Sequence, residues 1–281
     1  MTLEAPPTTS IASLFEAGRP PRARTKFLSR FVVLSDNHDF VGRLYELSIV
    51  AYHFDGYDAL AAHADCKYAY DVNFVLSALT RRVESLNAAA DMLWPEPYPI
   101  DFNAFPVSRY DWLTLAADAF LMRYVSVVDC AMILAAEVFE TGLDARRCSI
   151  DNLRKAGVPT EALATLQAMV DDQGPLRDER NSRFHHGRES SHTDDDQTFQ
   201  LASVFERVNG IAGTDRYGRK INLDRSFKEG LVKRQRDFNR SCRSLSKRLD
   251  ELYDELWKAF EGRFVPRVRA STHGLRSTAP N

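Results

Sequence analysis

Arg180-Asn181-Ser182-Arg183-Phe184-His185-His186-Gly187 is the stretch around which the chain is read, set between a turn signal at Gly174-Pro175 and a polar run that begins at Arg188. Proline suits the first helical position and glycine the position just past the last. The pattern therefore predicts one short helix that starts at Pro175, stops at Gly187 and makes about three turns. Only Leu176 and Phe184 are large and apolar on it. A helix this polar has no wide face to bury, which places it at a surface, a cleft or a subunit interface.

The chemistry on offer is specific. Arg180 is a permanently charged planar fork, Asn181 a side-chain amide and His185 an imidazole, with Arg183, His186 and Arg188 adding charge nearby. Arginine binds phosphate bidentately, and histidine alone has an ordinary pKa close enough to neutrality to take and return a proton. These groups suit a phosphodiester and call for no carboxylate. On a straight helix Arg180 and His185 project about 140° apart, whereas Asn181 and His185 lie one turn apart on one face. Either the Arg180 side chain wraps round the helix, or a second copy completes the site.

The pattern Arg180-Asn181-x-x-x-His185 resembles the signature of the HEPN superfamily, an arginine, a small polar residue and a histidine four to six residues after the arginine. The loose spacing alone is weak, since Arg267 and His273 also satisfy it with Val268 in the polar position. The asparagine and the helical setting sharpen the first match. The resemblance implies an all-α fold, a HEPN-like up-and-down helical bundle with additional N-terminal helices. It also implies a metal-independent endoribonuclease that cleaves RNA through its own 2'-hydroxyl, with no cofactor. Arg180, Asn181 and His185 would be the catalytic set, in a homodimer whose two motifs face each other across the interface. A toxin or defence role is common among such proteins, and some only bind. The alternative is thus a non-catalytic helical module for RNA, a nucleotide or a protein partner. The competing reading of the motif is a basic helix end whose cations favour the negative pole of the helix dipole.

With 281 residues, 44% of them hydrophobic, the chain can bury a sizeable core. Its four cysteines, Cys66, Cys130, Cys148 and Cys242, are scattered without a CxxC pair and read as reduced thiols of a cytoplasmic protein. The first ten residues carry Glu4 and two prolines and no apolar run, which is no secretory signal. The net charge of -2 hides an asymmetry: residues 1–176 hold 15 Lys/Arg against 23 Asp/Glu, and residues 177–281 hold 22 against 16. The basic half begins at the motif. That favours a polyanionic partner, though solvated faces of opposite sign produce the same partition.

Along the chain, residues 1–35 are rich in Pro, Thr and Arg and read as a mobile arm with at most a short helix near 11–17. Helical spacing of Phe40, Val41, Leu44, Leu47 and Val50, and then of Tyr68, Val72, Leu76, Leu79, Val83 and Leu86, predicts an N-terminal helical region over 36–93. His38, His53 and His63 share no metal-type spacing there and read as structural or surface histidines. Residues 94–107 hold four prolines among aromatics and mark a structured connection. A HEPN-like bundle over 107–262 follows. Residues 110–139 form its core helix; Asp118, Arg123 and Asp129 interrupt it too often for a membrane span. Asp118 and Asp129 share a helix face, which either aims them at arginines of the motif helix or leaves them on a solvated edge.

Ser149 and Thr160 read as caps of two further helices, the first ended by Gly157. His192 beside residues 194–196, three aspartates, is the nearest approach to a cation site and reads as a solvated loop. Residues 199–211 read as a helix. In the last element Leu231, Phe238, Cys242, Leu245, Leu249, Leu252, Leu256 and Phe260 step by threes and fours, with Gly262 as the stop and 263–281 as a flexible tail. Lys233, Arg236, Arg240 and Arg243, continued by Lys247, form a second stripe suited to RNA phosphates, or a plain solvated face. The sequence has no Gly-rich phosphate loop, zinc pattern, nucleophile elbow or period-2 strand run.

Overall fold

In the computed structural model the chain is all-α, and the described residues are 26–187, 191–208, 213–214, 218 and 220–271. Among them the α-helices are α1 (Asp39–Ser48), α2 (Tyr57–Ala61), α3 (Ala64–Leu93), α4 (Arg109–Val138), α5 (Ile150–Lys155), α6 (Thr160–His186), α7 (Asp196–Val208) and α8 (Leu223–Ala270). The chain divides into two compact units. One comprises Met1–Arg30, Asp91–Ala117 and Glu189–Asp237; the other comprises Phe31–Ala90, Asp118–Arg188 and Phe238–Asn281.

The first unit is built on the proline-rich connection. Phe102, Tyr110, Leu113, Phe199, Phe227 and Leu231 form its buried cluster, and Tyr98, Phe105 and Trp112 pack against it. Arg109 is buried with them: its guanidinium lies 4.4 Å from the centroid of Phe102, its Nε donates to Glu206 at 2.9 Å and one Nη donates to the Ile100 carbonyl at 3.0 Å. Burying an arginine is tolerable only because a carboxylate and a carbonyl replace its lost water. Residues 26–30, expected to belong to a mobile arm, are tethered instead. The Leu28 amide donates to the buried Gln235 side chain at 3.0 Å, and Trp94 Nε1 donates to the Leu28 carbonyl at 2.7 Å.

Gly230 shows how closely α8 approaches α4 within this unit, since a Cβ there would stand 2.4 Å from Leu113 Cδ1. Gly230→Ala gains about 1 kcal/mol of helix propensity and meets an overpacking cost of about 1–3 kcal/mol. Urea unfolding should show a net loss of roughly 1 kcal/mol, by the same two principles. In a Leu113→Ala background the same change should stabilise. A Gly230→Ala protein more stable than the parent would sink this account.

The second unit holds the motif. Its core is drawn from Phe40 and Leu44 of α1, Val72, Leu76 and Leu79 of α3, Val125, Val128 and Leu134 of α4, Leu166 of α6, and Leu245, Leu256 and Phe260 of α8, all buried. Residues 31–35 are held in place here: Val33 exchanges two hydrogen bonds with the Asn87 side chain, at 3.0 and 2.8 Å, and the Phe31 amide donates to Asn239 at 2.9 Å. The expected seam of α8 is buried throughout, but the helix does not stop at Gly262. It runs to Ala270, through Pro266, so the stretch expected to begin a flexible tail is helical. Phe264 and Val268 extend the buried stripe, Phe264 stacks on Phe260 at 5.1 Å, and Arg267 pairs with Glu140. Those contacts outweigh the cost of about 1 kcal/mol for a glycine inside a helix.

A second correction concerns the motif helix itself. It is the C-terminal part of the 27-residue α6, and Pro175 lies inside that helix. Three side chains bracket the proline and fix α6 to α4. Gln173 Nε2 donates to the Tyr124 carbonyl at 2.6 Å, Arg177 pairs with Asp129 at 2.9 Å, and Arg183 pairs with Asp118. Gly174, with no Cβ, removes part of the clash that a proline imposes on the residue before it. The cap ahead of Thr160 is Pro159, without a side-chain bond, whereas Ser149 caps α5 as expected through a 3.3 Å bond from the Asn152 amide.

Candidate functional site

The last two turns of α6 carry Arg180, Asn181 and His185, and Gly187 ends the helix in the left-handed conformation, φ 63° and ψ 22°, its amide directed back to the Arg183 carbonyl. Glycine adopts that conformation without penalty, so the stop is local in origin. Arg180 and Asn181 are half-buried, and His185 and His186 are exposed. Among the described residues no side-chain hydrogen bond or ion pair engages Asn181, His185 or His186. The Nε of Arg180 is buried and meets no hydrogen-bond partner among the described residues. An unmet buried donor is costly, and an anionic oxygen reaching it would recover that cost.

Helix geometry sorts these groups into two rows. Arg180 and Phe184 are neighbours one turn apart, and so are Asn181 and His185, the second row turned about 100° from the first. A single α6 therefore presents the guanidinium of Arg180 and the imidazole of His185 on adjacent strips.

Arg183 has a different environment from the phosphate contact expected of it. Its side chain is only 3% exposed, paired with Asp118 at 2.5 Å and with Glu179 at 3.3 Å. This arginine offsets one of the two negative charges of Asp118 and Glu179 beside the motif, and it fixes the motif turns to α4. Asp118 and Asp129 thus do aim at arginines of the motif helix, as one of the two readings of their spacing had it. Arg188, the remaining candidate at this end, lies outside the described residues.

Lys233, Arg236, Arg240, Arg243 and Lys247 are all exposed on α8. Arg240 and Arg243 belong to the unit that contains the motif, Lys233 and Arg236 to the other. Lys233 Nζ donates to the Ser191 carbonyl at 2.6 Å, and Arg243 lies 5.4 Å from the centroid of Phe31. The second sequence match, Arg267, is committed to Glu140 and stacks 4.3 Å from the centroid of Tyr68, on a helix where none was expected.

His192 is not solvated; it is 1% exposed. Its Nδ1 faces Arg234 Nη2 at 3.4 Å and its Nε2 faces Thr114 Oγ1 at 3.1 Å. A guanidinium only donates, so Nδ1 is the acceptor in the contact with Arg234. Asp196 accepts the backbone amides of His192 and Thr193 at 2.7 and 2.9 Å, which makes this cluster a helix entry. Among the described residues no group of three or more His, Cys, Asp or Glu is arranged to hold a metal ion.

Elsewhere, a groove of 480 Å³ is lined by Glu161, Thr165, Glu251, Asp254, Glu255 and Lys258 and contains none of the motif residues. Asp172 fastens α6 to α8 by accepting from Ser244 at 2.7 Å and from Arg248 at 3.0 Å; the Ser244 hydroxyl and then the guanidinium hold its carboxyl below the usual range against the opposing effect of burial. Of the described helices α4 alone is long and apolar enough to cross a membrane, and 61% of its most apolar window is buried inside the protein.

Comparison of the chain with protein-family models, with curated proteins and with solved structures found no match.

Proposed function

We propose that the chain is a HEPN-like endoribonuclease that cleaves RNA without a metal, from a site completed by two copies. The observation that carries the reading is the placement of Arg180, Asn181 and His185 on the closing turns of α6, with His185 exposed and Arg183 held by Asp118 and Glu179 so that it fixes those turns to α4. In the reaction the 2'-oxygen bonds to phosphorus and the bond from phosphorus to the 5'-oxygen breaks. One proton leaves the 2'-hydroxyl and one reaches the leaving oxygen. His185 carries that transfer, Arg180 stabilises charge on the phosphorane, and Asn181 orients either group. His186, Arg188 and, on α8, Arg240 and Arg243 would supply phosphate contacts, while Arg183 serves as a positioning residue. A cytoplasmic toxin or defence setting accords with the resemblance.

The angle of about 140° between Arg180 and His185 favours a composite site. The test is incubation with mixed RNA and excess chelator. Cleavage that survives and leaves cyclic phosphate ends is the expected result. Mixing inactive Arg180→Ala and His185→Ala chains, with subunit exchange verified by mass, should then restore part of the activity by building one intact hybrid site. RNA binding without cleavage would instead identify a non-catalytic module, and full activity from a strict monomer would sink the composite site.

A further inference from the structure

In the unit that holds the motif, the chain from Val33 to Tyr57 runs alongside α3 in the opposite direction. Val33 bonds to Asn87, Ser35 to Glu84 at 2.9 Å, Tyr45 to Thr80 at 2.8 Å and Tyr57 to Asp71 at 3.0 Å, so the partners on α3 recede as the chain advances. Ile49 and Tyr52 fall between the last two contacts, along the stretch of α3 that carries Phe74. With Tyr45 they follow one another at helical spacing on α1 and the 3-10 turn Ile49–His53. The Tyr57 ring lies 5.7 Å from that of Tyr70, one turn before Phe74. Tyr45, Ile49, Tyr52, Tyr57 and Phe74 are all exposed, Phe74 by 64% and Tyr52 by 89%. At about 200 Å² for each aromatic side chain, the uncovered part is on the order of 500 Å², a size at which an apolar patch on a monomer marks an interaction site.

The charge beside this face is lopsided. Glu46, Asp55 and Asp58 are exposed, and no ion pair engages them among the described residues. Lys67 is bonded to Asp71, Arg43 pairs with Glu261 at 3.5 Å, and Arg81 borders the Tyr45 end. A two-fold contact between copies would set the three carboxylates against themselves, and nucleic acid or an anionic bilayer would meet the same repulsion. The face is built of helices whose backbone groups are already bonded, so an extended strand finds no edge to pair with and a partner must satisfy its own backbone. We infer that Tyr45, Ile49, Tyr52, Tyr57 and Phe74 dock an amphipathic helix of another protein, whose apolar side covers these five residues and whose flanks carry Lys or Arg. The stretch of α3 from Tyr70 to Thr80 is about 15 Å long and matches about three turns of such a helix. The inference is independent of the RNA reading and uses none of the motif residues.

The test measures binding of the full chain to two fluorescently labelled helical peptides with the same leucine face, one flanked by lysines and one by glutamates. The lysine peptide should bind, and the glutamate peptide should bind more weakly by about 10-fold or more. Tyr52→Ser and Phe74→Ser, both at exposed positions and checked for retained stability by urea unfolding, should each weaken the lysine peptide by about 10-fold and leave the oligomeric mass unchanged. Changing Glu46, Asp55 and Asp58 together to lysine should reverse the order of the two peptides. Absence of binding would overturn the inference. So would lysine-peptide binding indifferent to Tyr52→Ser and Phe74→Ser, which would assign the peptide to another acidic surface such as the groove lined by Glu161 and Glu251. A fall in oligomeric mass in either variant would make the face a contact between copies, and binding to phosphatidylserine vesicles that either variant loses would make it a membrane surface; each of these outcomes overturns the inference too.

Discussion

Replacing His185 with alanine is expected to lower RNA cleavage by about 10²-fold or more while leaving RNA affinity nearly unchanged. The prediction follows from an exposed imidazole with no protein partner among the described residues, one turn beyond Asn181 on the same face of α6. His186→Ala is the control. It is exposed too, but it projects about 100° further round the helix and should cost far less. Single-turnover cleavage measured beside filter binding separates chemistry from affinity. Equal losses from the two histidine variants would mean that the register assigned to the motif is wrong.

Arg183→Ala should produce the largest loss of stability among the motif substitutions, on the order of 3 kcal/mol. Removing the guanidinium leaves Asp118 and Glu179 facing each other without a cation, and it takes away a side chain that is nearly fully buried. Because Asp118 retains some solvent, the cost belongs at the lower end of the range for breaking buried pairs. Denaturant unfolding reads the loss directly. Asp118→Asn should cost less than Arg183→Ala, because the arginine keeps Glu179. An Arg183→Ala protein of unchanged stability but weakened RNA affinity would return Arg183 to the surface role that its place in the motif first suggests.

The elements that were readable from the sequence are those set by local physics. Gly187 stops α6 where the pattern placed it because a left-handed residue is a property of the glycine itself, and α4 followed from an apolar run too long and too even for any other element. Pro175 and Gly262 were misread as a helix start and a helix stop for the opposite reason. Each is a local breaker overruled by distant partners, Asp129, Tyr124 and Asp118 in the first case and the buried stripe continued by Phe264 in the second. The burial of Arg183 was likewise hidden, since its acid lies 65 positions away in the chain; the shared face of Asp118 and Asp129 was the one available hint. His192 beside its acidic run has the composition of a solvated loop, yet Arg234 and Thr114 satisfy both ring nitrogens and allow it inside.

The proline inside α6 divides the helix by the solvent conditions each part tolerates. Before Pro175, buried Ala162, Leu163, Leu166 and Met169 anchor the helix through apolar contact, which salt does not screen. Beyond it, the anchors to α4 are the ion pairs of Arg177 and Arg183, and the first of these is partly open to water. Across Pro175 itself one backbone hydrogen bond is missing, so the ladder that would share strain between the halves is weakest there. Ionic strength therefore acts on the motif through two routes at once, by releasing counterions from any bound RNA and by loosening the turns that present Arg180 and His185. A salt titration of RNA binding would sum both, and its slope would be steeper than the roughly 0.7 per phosphate contact that counterion release from a single strand gives alone.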